Sequence, residues 1–541
     1  MAKKPNILVL MVDQLAPQAL GCYGHKVVHS PNIDKLANNG LVFDNAYCNS
    51  PLCTPSRASF ISGQLCPEIG AYDNGAEFPS SVPTIAHFMR SVGYDTTLCG
   101  KMHFVGSDQL HGFQERLTTD IYPANFTWTP NWGLPVTSPN PAGATVRPIL
   151  EAGPCIRNMQ MDYDEEVAFK ARQKIYDLAR RQDDANPFFL LTSFTHPHPP
   201  FTCAQKYWDL YDGAEIDLPK IGRIPPEELD VASQYLFFGH RRHRYKIKKE
   251  HILATRRAYY GMISYVDELI GGVLDTLSET GLADDTIIIF ISDHGEMLGE
   301  RGMWYKMSMY EWSVRVPMII SGKGVKTGRI SHNVSLADLA PTLIDLGGGS
   351  RENISAQLCG NSLRDFVRSG KDSSWADTVI SDYSAGAAPG PIRMVKKGNL
   401  KLVDVFGHDP LLFDLKEDPD ELNNIANRSD MKENLKELIE IARQNHSPEN
   451  YKAKIEQSQK DRIFIREVGF NEEKEPNWSF VSNPGDDSRF VRGGGLFKGA
   501  HATKSKALLP KVKEAAESID ETVDVKMINE ISQTQIASRN Q

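Results

Sequence analysis

Four short β-branched or apolar runs limit what this chain can fold into. They lie at residues 7–12 (Ile-Leu-Val-Leu-Met-Val), 188–194, 286–291 and 316–320. Each is near-continuous and does not alternate regularly with polar residues. A strand apolar on both sides must be covered on both sides, so such runs specify a mostly parallel sheet buried between helices. A weaker run at 95–98 precedes Gly100. The intervening segments carry helical spacing, most clearly residues 250–277, which read as one long helix. The expected fold class is α/β, a large mixed, mostly parallel sheet sandwiched by helices.

The pattern changes near residue 370. Residues 394–405 and 411–415 read as antiparallel strands joined through Gly407-His408-Asp409, and a helix follows over about 430–444. The chain therefore divides into a catalytic domain at 1–370, a small C-terminal antiparallel-sheet α+β subdomain at 371–455 and an extended tail at 456–541. That tail is polar, carries Gly493-Gly494-Gly495, and its end is expected to be partly disordered. Residues 115–160 are rich in Pro, Thr, Asn and Trp without periodicity. Tyr122, Phe126, Trp128 and Trp132 give this stretch the character of an ordered loop that lines a site.

A length of 541 residues allows two to four domains. The net charge of −9 offers no basic surface for nucleic acid or anionic lipid. No apolar run approaches the roughly 18 residues of a membrane span. Residues 7–12 end in Asp13 and lack a small-residue cleavage site, so they read as a first strand and not as a secretion signal. Eight cysteines without regular spacing are no disulfide framework. Together these place the protein in the cytoplasm.

Two oxygen-rich pairs end two of the expected strands, Asp13-Gln14 and Asp293-His294. Ligands of open α/β sheets gather outside the carboxyl ends of strands. The two pairs can therefore converge on one hard cation, with Ca²⁺ or Mg²⁺ expected and Mn²⁺ possible. Taken singly, an Asp at a strand end also serves as a helix cap. Cationic and imidazole groups follow other strand ends: Lys101 and His103 in Gly100-Lys101-Met102-His103, His198 in Thr195-His196-Pro197-His198, and Lys306 in Trp304-Tyr305-Lys306-Met307.

The run Cys53-Thr54-Pro55-Ser56-Arg57, opening a helix that reaches Gly63, resembles the signature of the sulfatase family. The segments 100–106, 120–124, 127–130, 195–198 and 299–308 are similar to its choline-sulfatase branch. The resemblance implies an alkaline-phosphatase-like fold. It implies that a separate formylglycine-generating or equivalent maturation enzyme oxidises Cys53 to formylglycine, whose hydrate attacks sulfate sulfur. It implies that Asp13, Gln14, Asp293 and His294 hold the divalent metal, with Gln14 where many members carry a second Asp. Arg57 would then support the hydrate and the ligand carboxylates, and Lys101, His198 and Lys306 would bind sulfate oxygens. His198 or Lys306 would protonate the leaving alcohol, and His103 would deprotonate the second hydroxyl to expel sulfate.

The substrate so implied is a small sulfate ester, choline sulfate foremost. Trp128 would receive the quaternary ammonium, Asp382 would add negative charge, and Asp486 of the tail would reach a neighbouring subunit's pocket in a homodimer or homotetramer. Other alkyl or aryl sulfates, and phosphonate or phosphate monoesters on the same scaffold, are the alternatives.

Overall fold

The computed structural model describes residues 4–138, 144–182, 185–354, 356–471 and 505–507. Its main sheet has eight strands. They are β1 (Asn6–Val12), β2 (Gly40–Tyr47), β3 (Asp95–Gly100), β4 (Glu115–Arg116), β6 (Phe188–Ser193), β8 (Thr286–Ser292), β9 (Arg315–Gly322) and β10 (Gly328–Ser335), where β5 (Gly153–Asn158) and β7 (Thr202–Ala204) belong to a smaller sheet with Ser505–Ala507. The order across the main sheet is β10-β2-β9-β8-β1-β6-β3-β4. β1 pairs in parallel with both β6 and β8, β3 pairs in parallel with β6 and β4, and β9 alone runs against its neighbours β8 and β2. The sheet is thus mixed and mostly parallel, as the apolar runs require.

β1 shows why those runs are near-continuous. Ile7, Val9 and Met11 join the core on one face, while Leu8, Leu10 and Val12 join the core on the other. Each such side chain contributes roughly 1.5–3 kcal/mol by leaving water. Two long helices, Met159–Ala179 and Lys249–Glu279, cover the face bearing Leu8 and Leu10.

The second, antiparallel sheet has the order β11 (Thr378–Tyr383), β12 (Ile392–Lys397), β13 (Leu400–Val405), β14 (Leu411–Asp414). The helix Lys432–Arg443 lays Leu438 and Ala442 on Val395, Leu402 and Leu412. The buried Lys401 of β13 lies 3.0 Å from Glu311 and 2.7 Å from Glu421, tying this subdomain to the short helix Glu311–Val314 before β9.

One expected boundary is wrong. The helix Pro448–Asn471 runs through residue 455, so residues 456–471 are helix and not extended tail. Tyr451 and Ile455 sit in the main core, which makes this helix part of the folded body. Most of the remaining tail, with Asp486, lies outside the described residues.

Candidate active site

The site forms beyond the carboxyl ends of β1, β3, β6 and β8. Asp13 and Gln14 follow β1, Lys101 and His103 follow β3, His196 and His198 follow β6, and Asp293 and His294 follow β8. Cys53 opens the helix Cys53–Ser62, every residue of which is buried. Arg57, one turn on, shares its face.

The backbone bends sharply here. Gln14 and His103 hold φ of 67° and 56°, the left-handed region that costs a side-chain-bearing residue energy. At Gly100, with φ 109°, a Cβ would lie 2.0 Å from the Ser193 carbonyl oxygen, so only glycine lets β3 and β6 approach at the site.

Ligand atoms of Asp13, Cys53, Asp293 and His294 all lie within 4.8 Å of one another, and all four residues are buried. The Cys53 sulfur is 3.2 Å from His294 Nε2 and 4.0 Å from Asp13 Oδ1. His294 Nδ1 is 3.1 Å from the Gly295 carbonyl, which can only accept. That contact assigns the proton to Nδ1 and leaves the Nε2 lone pair facing the cluster. Burial holds the His294 imidazole neutral, with a pKa near 4. Two buried carboxylates and a correctly presented neutral imidazole fit a divalent cation.

Gln14 contributes differently. Its backbone N–H donates to Asp293 Oδ1 at 3.0 Å, and its amide oxygen accepts from Lys306. Its amide nitrogen donates to Glu296, a residue whose role is not apparent in the sequence. Glu296 also accepts from the Leu298 amide at 2.9 Å and the Tyr305 amide at 2.6 Å. Burial raises its carboxyl above the usual range. Glu296 thereby fixes which end of the Gln14 amide faces the centre.

Arg57 is the cross-brace. Its Nε donates to Asp293 Oδ2 at 2.8 Å and its Nη2 to Asp13 Oδ2 at 3.1 Å. Its Nη1 donates to the Lys101 carbonyl at 2.7 Å and to Ser193 Oγ at 2.9 Å. Lys101 Nζ also bonds Asp13 Oδ2 and lies 4.2 Å over the Tyr122 ring. Burial opposes the charge on Asp13, yet Lys101, His198, Arg57 and His294 together keep it well below the usual carboxylate range.

His198 Nδ1 lies 2.8 Å from its neighbouring Pro199 carbonyl, so it carries the proton and Nε2 is the basic nitrogen. Burial, reinforced by Lys306, lowers its pKa well below the ordinary value. His103 is held by its backbone N–H, which donates to Asp120 at 2.8 Å, while Arg116 braces Asp120 from behind. Its ring packs against Tyr122 and Trp128, and among the described residues neither ring nitrogen has a nitrogen or oxygen hydrogen-bond partner. A buried, unpartnered imidazole beside Cys53 is suited to a proton that arrives with substrate.

Beside this centre lies a small cavity lined by Leu52, Asp73, Asn74, Trp128, Met307 and Tyr383 among others. The expected Trp128 is there. The expected Asp382 is not. Its carboxylate is turned to the opposite side of β11 from Tyr383 and forms a two-pronged ion pair with Arg393, at 2.7 and 3.0 Å. Asn74, which accepts from the Thr54 amide at 3.0 Å, and Asp73 are cavity residues that the sequence did not single out.

The sulfatase family model matches residues 5–349, and the model for the C-terminal part of N-sulphoglucosamine sulphohydrolase matches residues 299–447. The choline-sulfatase of Rhizobium meliloti (strain 1021) is 44% identical over 425 residues, covering 78% of this chain and 82% of the relative. An arylsulfatase of Clostridium perfringens is 31% identical over 459 residues, covering 78% and 90%. The fold is shared with a crystal structure of the phosphonate monoester hydrolase of Agrobacterium radiobacter, at TM-score 0.65 and 23% identity over 81% of this chain and 95% of that one. With a family match over more than half its length and a buried acid–imidazole centre around Cys53, the chain belongs to the sulfatase family and hydrolyses sulfuric esters.

Proposed function

We propose that the substrate is a small sulfate ester, choline sulfate foremost, and that Cys53 acts after oxidation to formylglycine by a maturation enzyme. The observation that carries this reading is the position of Cys53. It stands at a buried helix start within contact of His294, His103 and Asp13, flanked by the Trp128 cavity. The 44% identity to a choline-sulfatase supports the alcohol.

Asp13, Asp293 and His294 would hold the metal, Ca²⁺ foremost with Mg²⁺ or Mn²⁺ possible, and the Gln14 amide oxygen would join them on leaving Lys306. A bound cation would polarise the sulfate oxygens as a Lewis acid. Position 53 supplies the nucleophile, as the hydrated aldehyde of formylglycine. Arg57 aims both ligand carboxylates by donating to Asp293 and Asp13. Lys101 and Lys306 hold sulfate oxygens, where their charge offsets the charge that develops in the transition state. Either Lys306, from its ammonium, or His198, when its Nε2 carries a proton, protonates the leaving alcohol. His103 takes the proton that releases sulfate.

A second reading, another alkyl or aryl sulfate, is favoured by the ion pair that occupies Asp382. Sulfate release from choline sulfate and a panel of alkyl and aryl sulfates and phosphonate monoesters decides between them. Turnover of phosphonates without turnover of any sulfate would overturn both.

None of the eight cysteines is paired in a disulfide, which favours a reducing, cytoplasmic setting. Among the described residues, no helix is long and apolar enough to cross a membrane. Phe464 and Ile465, exposed at 67% and 52% on the final helix, favour self-association as a homodimer or homotetramer.

A further inference from the structure

The cavity beside Cys53 contains an acidic residue whose charge is cancelled from far along the chain. Asp73 lines the cavity, and Arg462 grips its carboxylate with both terminal nitrogens, at 2.7 and 2.8 Å. Both side chains are buried, and 389 residues separate them. Arg462 belongs to the helix Pro448–Asn471, outside the α/β domain that supplies the rest of the centre.

The same helix clasps the loop that carries Trp128. Gln459 Oε1 accepts from the Trp132 amide at 2.9 Å, and Arg462 Nη1 donates to Thr129 Oγ1 at 3.2 Å. The turn bearing Asp73 packs directly on that loop. A Cβ added to Gly75 would lie 2.4 Å from the Thr129 amide nitrogen. Asp73, Arg462 and the Trp128 loop are therefore joined along one wall of the cavity.

Among the described lining residues, Asp73 is the one ionisable carboxylate. With Arg462 in place the pair is neutral, and attraction for a cationic alcohol falls to the Trp128 ring. Without Arg462 the wall would present an uncompensated negative charge in a water-poor cavity, where opposite charges attract strongly. We propose that Arg462 is a specificity-determining residue: by neutralising Asp73 it sets how far the cavity favours a cationic over a neutral alcohol of the same shape.

This rests on the cavity being the alcohol subsite, so the test reads both turnover and binding. The substrates are choline sulfate and its neutral isostere 3,3-dimethylbutyl sulfate, and the binding probes are choline and 3,3-dimethylbutanol by calorimetry on the full chain. Arg462→Met should raise the choline-to-isostere ratio, in kcat/KM and in affinity, by about tenfold or more, the scale on which one opposite charge within about 6 Å acts. Arg462→Lys, which keeps the charge, should hold the wild-type ratio. Asp73→Asn, which leaves Arg462 unopposed, should lower it.

Equal losses for both esters in Arg462→Met, with unchanged choline affinity, would reduce Arg462 to a structural brace and overturn the proposal. Should the wild type hydrolyse neither ester, the choline reading fails. The binding ratios then still decide the charge argument, and a failure of Arg462→Met to tighten choline binding sinks it.

Discussion

Arg57 Nε lies 2.8 Å from Asp293 Oδ2, and neither side chain touches solvent. The same guanidinium reaches Asp13 on the neighbouring strand end. Two carboxylates brought together in a dry site repel each other, and one would ordinarily take up a proton. A guanidinium fork of fixed geometry between them offsets that repulsion. Burial resists the Arg57 charge but the two acids outweigh it, and its pKa is raised.

Arg57→Lys should therefore be far from conservative. Lysine keeps the charge but has a single nitrogen and cannot span two acids and a carbonyl. Metal content measured by elemental analysis should fall, and kcat should drop by about 10²-fold or more, the scale of losing one preorganised charge contact. Near-normal kcat with full metal occupancy would remove the bracing role.

Asp293→Ala should lose metal and activity together, because it deletes one of two carboxylate ligands and removes the closer of the two carboxylates that Arg57 grips. Arg57 then keeps Asp13 as a carboxylate partner but loses half of its charge compensation in a buried site, so the midpoint of denaturation should fall as well. Full metal content in this variant would refute the ligand assignment.

Cys53→Ala should lower turnover by about 10⁴-fold or more, as losing a covalent nucleophile does. The fold should survive, because removing one buried sulfur costs only about 1 kcal/mol. Peptide mass spectrometry of the wild type should show the Cys53 peptide lighter by the difference between a thiol with one hydrogen and a carbonyl oxygen. An active Cys53→Ala variant would end the covalent mechanism.

The parts of this architecture legible in the sequence are those set by local pattern. β1, β6 and β8 are buried on both faces, and so were visible as near-continuous apolar or β-branched runs. β10 was not visible. It lies at the sheet edge and exposes Arg329, Ser331 and His332, so its composition reads as a loop. Asp13, Asp293 and His294 were visible because strand ends are where α/β sites form. Asp382 misled because a strand alternates its faces. Residue 383 meets the cavity, and residue 382 meets Arg393. Glu296, Asp73 and Arg462 depend on partners distant in the chain or on the fold of a loop, which no local pattern encodes.

Acid should destabilise the protein through buried histidines away from the metal cluster. His111, stacked 4.3 Å from Phe78, and His240 are both buried, and burial lowers each pKa from 6.5 to about 4. The folded state therefore resists a proton that the unfolded chain accepts. Stability is complete above about pH 6.5 and falls as the pH drops toward 4, by up to about 3 kcal/mol per histidine. His111→Asn suits the backbone there, whose φ is 39°, and removes one titrating group. Denaturation midpoints measured across this range should show a shallower slope in the variant, by about one proton. An unchanged slope would show that His111 is not held neutral.

The last prediction concerns Trp128, which has two candidate roles. Its ring lies 5.3 Å from His103, edge to face, and 5.1 Å from Tyr122, so it buttresses the imidazole. It also lines the cavity where the alcohol would sit, and an aromatic face attracts a quaternary ammonium by roughly 0.5–2 kcal/mol. The roles separate by substrate. Loss of the buttress slows every ester, because His103 serves the shared sulfate half. Loss of the cation–π contact slows only the cationic ester. Trp128→Ala should therefore lower kcat/KM for choline sulfate by about 2- to 30-fold more than for its neutral isostere, the ratio that 0.5–2 kcal/mol sets. Trp128→Phe, which keeps a smaller ring, should fall between. Equal losses for the two esters would leave Trp128 as a support for His103 and remove the aromatic argument for choline, while the metal centre and the sulfate chemistry would stand unaffected.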